Sequence, residues 1–167
     1  KDGSKVLDVG CGIGIVSLNV AKCLTKSSII GVDIKKQNII TANELLNKSK
    51  LCNVNFIHGD INKQKNIKVD YVILSNILEH IENRTKFLKK IQKITNSKIF
   101  LIRVPNFERD WQIAMRKELG IYYFSDNDHK IEHTVNQLTN DLEKADFKIQ
   151  ELITTWGEIW AKCEYGI

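Results

Sequence analysis

The stretch Val6-Leu7-Asp8-Val9-Gly10-Cys11-Gly12-Ile13-Gly14 constrains this chain more than any other. Val6 to Val9 is short and β-branched at both ends, which suits a strand buried on both faces of a parallel sheet. Gly10, Gly12 and Gly14 then let the backbone turn tightly and approach a ligand where a Cβ would collide, before Ile15 opens a helix to about Leu24. Asp33 follows 19 residues after Gly14, near the end of a second strand from Ile29 to Ile34. A carboxylate at that place accepts both hydroxyls of a ribose, so loop, helix and carboxylate together describe a nucleotide-type pocket.

The glycine spacing decides between nucleotides. A dinucleotide fingerprint needs a third small residue three positions after the second glycine, and Ile15 stands there. An acid at position 8 is wasted beside a pyrophosphate but suits a ligand that carries positive groups.

Beyond the loop, strands and helices alternate. Strands are expected over Lys5–Val9, Ile29–Ile34, Val54–His58, Asp70–Leu74 and Lys98–Val104, with helices from about Lys36 to Lys48 and Ile81 to Thr95. A further helix begins behind Thr134 and runs to Ala145, and two closing strands cover Phe147–Thr154 and about Ile159–Glu164. This order predicts an α/β fold: a Rossmann-like, doubly wound, mostly parallel seven-stranded sheet with helices on both faces. Residues 106–133 are too polar and aromatic for a core element and read as an insertion after strand five, with a short helix over Asp110–Leu119. One domain over residues 1–167 is expected.

The run Asp8-x-Gly10-x-Gly12-x-Gly14 resembles that of the class I S-adenosylmethionine-dependent methyltransferases, and the resemblance extends from Val6 to about Glu164. It implies S-adenosyl-L-methionine as cofactor. Asp8, Gly10, Cys11, Gly12 and Gly14 would hold it in the loop, Asp33 and Ile34 after strand two, and Ser75 and Asn76 after strand four. Phe56-Ile57-His58-Gly59-Asp60-Ile61 looks like the family's third strand, so that Asp60 inherits the bond to the adenine amino group and Ile61 a backbone N–H. Asp70 to Ile81 is similar to the fourth-strand motif of the small-molecule branch, where the pair Glu79-His80 opens the next helix. Leu138 to Phe147 matches the helix leading into strand six, with Asp146 in place of a customary glycine. The helices that usually precede strand one in the family have no counterpart among these residues, because Lys1 lies only five residues before Val6.

Composition narrows the partners. The net charge of +5 is mostly lysine dispersed over turns and outer helix faces, without an arginine stripe interleaved with aromatics, so nucleic acid is not the expected partner. No run approaches the ~18 apolar residues of a membrane span, and a cytoplasmic location is expected. Cys11, Cys23, Cys52 and Cys163 form no Cys-x-x-Cys pair, which argues against a zinc site or a disulfide framework.

Methyl transfer asks mainly for placement of a nucleophile, and for a base only where the acceptor must lose a proton. Four residues are candidates on the acceptor side. His80 follows strand four, either lining the pocket or acting as base. His129 and His133 flank Glu132 at i, i+4, but Thr134 marks a helix start and no third ligand is evident, so no metal is expected. Arg103 is out of place in a covered strand unless it emerges at the ligand-binding edge to hold an acidic group of the substrate. The alternative is an ion pair with Glu79, Asp110 or Glu118. Ser75-Asn76-Ile77-Leu78 is neither the turn used by nucleobase amine methyltransferases nor the cysteine motif of pyrimidine-carbon enzymes. A small-molecule or sugar-lipid acceptor is the leading reading. A non-catalytic module binding an adenosyl ligand, and an RNA methyltransferase working with a partner, are the alternatives.

Overall fold

The computed structural model describes residues 1–166. Seven strands form one sheet: β1 (Lys5–Val9), β2 (Ser28–Asp33), β3 (Val54–His58), β4 (Tyr71–Ser75), β5 (Ile99–Pro105), β6 (Phe147–Thr155) and β7 (Glu158–Tyr165). Their spatial order is β3-β2-β1-β4-β5-β7-β6, parallel except for β7, which runs antiparallel to both β5 and β6. The order in which successive strands are added reverses between β1 and β4, and open α/β sheets bind ligands outside the carboxyl ends of such a pair.

Alternation along each strand sends side chains to two cores. Val6, Ile29, Phe56 and Ile73 pack against α1 (Ile15–Cys23) and α2 (Lys36–Ser49) through Ala21, Ile39 and Ala42. Leu7, Val72, Phe100 and Ile102 face the opposite side, where α3 (Arg84–Thr95) supplies Leu88 and Ile91 and α5 (Val135–Lys144) supplies Leu138 and Leu142. The short helix α4 (Trp111–Glu118) follows β5 and is capped by Asp110, whose side chain accepts from the Gln112 N–H. On the α1 side the sheet is incompletely covered: Val16, Leu101, Ile153 and Trp160 line a groove of about 390 Å³, and Ile153 is 59% exposed.

Most element ends fall within a residue or two of those read in the sequence, and one helix start differs by more. The helix expected from Ile81 begins at Arg84, because the Asn83 side chain accepts from the Lys86 N–H at 3.0 Å and so sets the first turn; residues 78–80 form a separate 3-10 turn. Asp146, where a glycine was customary, takes φ +65, a left-handed conformation that aspartate tolerates better than most residues. No described helix is long and apolar enough to cross a membrane.

Candidate active site

The glycine loop is shaped from beneath. Gly10 N–H and Cys11 N–H both donate to the Val32 carbonyl, at 2.7 and 3.1 Å, which locks the end of β1 to β2. Gly14 carries φ +84, and a Cβ there would lie 2.5 Å from the Phe56 ring, so its glycine is demanded by packing as much as by conformation. Asp33, at the end of β2, is 7% exposed and accepts from Gly12 N–H at 2.8 Å on Oδ2 and from Lys35 N–H and Asn38 Nδ2 at 2.8 and 3.1 Å on Oδ1.

A cavity of about 530 Å³ opens at the carboxyl edge of β1, β2 and β4. Gly10, Asp33, Ile34, Asp60, Ile61 and Asn76 all line it, as expected from the sequence. Asn38 and Ile77 also line it and were not anticipated, since nothing in their local sequence marks them. The residues fit the cofactor on two counts. Asp33 retains lone-pair capacity for a hydroxyl, with the Asn38 amide the donor most easily displaced by a second. Asn76, held at φ +54 by its N–H bond to the Arg103 carbonyl, presents a buried Oδ1 with no partner, an acceptor suited to an ammonium group.

Other candidates lie elsewhere. Asp8 does not line the cavity: it is buried behind the loop and accepts from Ser17 Oγ at 2.6 Å, with burial raising its pKa to about 6. Cys11 also turns inward, and burial pushes its thiol up to about 12. Ser75 and Arg103 sit side by side in register and line the groove on the α1 face, away from the cavity. The Arg103 guanidinium stacks over Trp160 at 5.2 Å and lies 3.6 Å from Glu158, not paired with Glu79, Asp110 or Glu118.

His133 corrects the sequence reading most sharply. Its ring is wholly enclosed between the Arg84–Asp141 ion pair and the core, and its pKa is lowered to about 4 by burial and by the Arg84 charge. A ring in that position cannot touch an acceptor. The i, i+4 face with His129 does not exist, because α5 starts only at Val135 and residue 133 pairs as an isolated bridge with Asn106.

His129 instead meets His80. Their rings stand edge to face with centroids 4.8 Å apart, and Lys130 N–H donates to the Glu79 carbonyl at 2.7 Å, joining the two segments. His129 Nδ1 lies 2.9 Å from Glu132 Oε1. Burial alone would raise Glu132, yet Arg109 at 2.7 Å, the Ser125 N–H and hydroxyl, and His129 together hold it near 2. His80 lines the cavity, and burial, helped by His129, lowers its pKa. Glu79 is 1% exposed, neither of its carboxylate oxygens has a partner, and burial raises its pKa to about 7.

Comparison with known proteins identifies the family. A family model described as a methyltransferase domain matches residues 1–161. The chain is 37% identical over 93 residues to a ribosomal protein L11 methyltransferase of Acetivibrio thermocellus, covering 54% of this chain and 29% of that protein. It is 26% identical over 184 residues to an (S)-tetrahydroprotoberberine N-methyltransferase of Eschscholzia californica, covering 95% of this chain and 53% of that one. The chain thus spans between about a third and about a half of the length of these relatives. Magnesium protoporphyrin IX methyltransferase from Synechocystis, solved with bound S-adenosylhomocysteine, superposes with a TM-score of 0.77 at 17% identity, covering 99% of this chain and 75% of that chain. With a methyltransferase-domain model matched over residues 1–161 and the fold shared with solved methyltransferases, this chain belongs to the class I S-adenosylmethionine-dependent methyltransferases.

Proposed function

We propose that this methyltransferase acts on a small-molecule acceptor admitted to the rim formed by His80, His129 and Asp128. The observation that carries this reading is the cavity itself. At about 530 Å³ it is of a size for a nucleoside-bearing cofactor with a small partner, and Lys35 and Lys130 are the two lysines among its lining residues, too few for a polynucleotide track. The likeness to the (S)-tetrahydroprotoberberine N-methyltransferase over 95% of this chain supports the same class.

Bound in the cavity, S-adenosylmethionine supplies a methyl group activated by a sulfonium. The chain's part is to hold and orient. Asp33 takes the ribose hydroxyls, Asp60 and the Ile61 N–H take the adenine, and Asn76 takes the amino acid end. Residues 106–133, which bring His129 beneath His80, form the acceptor side. Transfer of labelled methyl from the cofactor into a metabolite extract, total RNA and ribosomal protein, run side by side, tests the reading. Label in the small-molecule fraction is expected; label in RNA or ribosomal protein alone would overturn it. Thermal shift is expected with S-adenosylmethionine and its demethylated product but not with NAD.

A further inference from the structure

We infer that Glu79, His80 and His129 form a binding site for one divalent transition-metal ion at the acceptor rim of the cofactor cavity. One ligand atom from each of the three lies within 4.8 Å of those of the other two. Ligand atoms sharing an ion at about 2.0–2.2 Å stand roughly 3.4 Å apart in a tetrahedral set. The trio thus closes by about 1.5 Å or less, which rotation of the half-buried His80 ring accommodates.

Three observations support a cation. The first is Glu79, buried with both oxygens unpartnered. A buried carboxylate without a partner costs several kcal/mol, and beyond its own backbone N–H no group donates to it. The second is charge. Glu132 is satisfied by Arg109, and Glu158 faces Arg103, whose charge also reaches Glu79, while Asp126 and Asp128 add negative charge beside His80, so carboxylates outnumber the guanidinium groups around the trio. The third is the support behind His129. Its Nδ1 is taken by the fully buried Glu132 carboxylate, leaving Nε2 as the remaining ring nitrogen; a carboxylate behind a ligating histidine orients the ring and raises its basicity in metal sites.

The donor set selects the metal. Two imidazoles with one carboxylate suit Zn²⁺, Co²⁺ or Fe²⁺, whereas Mg²⁺ and Ca²⁺ prefer oxygen ligands throughout. Three protein ligands leave coordination positions open toward the cavity, as in catalytic sites. On the reading that this rim receives the acceptor, the site favours acceptors that carry a hydroxyl or carboxylate able to ligate the ion.

Titration of chelator-treated protein with Co²⁺, followed by its visible absorption, tests the site. One equivalent of Co²⁺ is expected, with bands of a four- or five-coordinate ion that a hundred-fold excess of Mg²⁺ leaves in place. Glu79→Gln, His80→Asn and His129→Asn, each checked for a native thermal transition, are expected to weaken binding on the order of tenfold or more, and His58→Ala not at all. The absence of binding at about 1 mM Co²⁺, displacement by Mg²⁺, or variants that bind like the parent would overturn the site. Titration of the same samples with S-adenosylhomocysteine reads the cofactor cavity separately. Its binding without Co²⁺ binding defeats the metal site alone; Co²⁺ binding without it upholds the metal site and defeats the cofactor reading.

Discussion

Asp33 accepts the Gly12 backbone N–H at 2.8 Å, so the carboxylate proposed to hold the ribose also ties down the glycine loop. Its loss removes a ligand contact and a loop restraint together. Asp33→Ala is expected to weaken S-adenosylhomocysteine binding about ten- to a hundred-fold, equivalent to about 1.5–3 kcal/mol, while the fold persists. Asp60→Ala is expected to lose less even though it also removes the cap on the Asn62 N–H, since a bound adenine would keep its apolar contacts with the cavity. Calorimetry on both variants measures the difference.

Gly14 is a packing requirement. A Cβ would meet the Phe56 ring at 2.5 and 2.8 Å and the Ala42 Cβ at 3.1 Å, on a backbone at φ +84. Gly14→Ala is expected to cost about 2 kcal/mol or more and to lower Tm by about 5 °C or more in calorimetric melting.

Asp8 sets an acid-side slope of stability. Its pKa is about 6 in the folded chain against 3.8, because burial outweighs the Ser17 bond, so the folded state holds more protons than the unfolded between these values. This contribution is fully present below pH 3.8 and is lost as pH rises through about 6, a change of about 3 kcal/mol. Asp8→Asn is expected to abolish that slope and raise stability at pH 7, read from urea midpoints across the range.

His133 has the opposite sign. Its pKa is depressed from 6.5 to about 4 by burial and Arg84, so the unfolded chain takes up the proton first. Its contribution is present above pH 6.5 and is lost as pH falls through about 4, again on the order of 3 kcal/mol. His133→Leu is expected to remove this acid lability and to leave cofactor affinity unchanged.

His129 is expected to separate acceptor from cofactor. His129→Ala should lower kcat/KM for the acceptor on the order of 10²-fold through lost positioning, with S-adenosylhomocysteine affinity nearly unchanged. Equal losses in both measurements would place His129 on the cofactor.

Much of this fold was legible because its signals are local. The loop from Asp8 to Gly14, the carboxylate at Asp33 and the alternation of strands with amphipathic helices each lie within a few residues, where backbone conformation and hydrophobic period act directly. Thr134 as a helix cap was equally readable, and its capping box with Gln137 is present.

What the sequence by itself determined was therefore the sheet, its strand order and part of the cavity lining: Gly10, Asp33, Ile34, Asp60, Ile61 and Asn76 line it, whereas Asp8, Cys11 and Ser75 do not. Tertiary structure alone decided the acceptor side. Strand parity turns Arg103 with Ser75 to the α1 face and onto Trp160. The extended chain before α5 parts His133 from His129, burying one ring against Arg84 and bringing the other to His80 and Glu79. Those partners stand 49 residues or more from His129 along the chain. Which distant side chains share a dry neighbourhood, and which buried carboxylate is left without a partner, depends on how packed layers exclude water; no local pattern of residues encodes that.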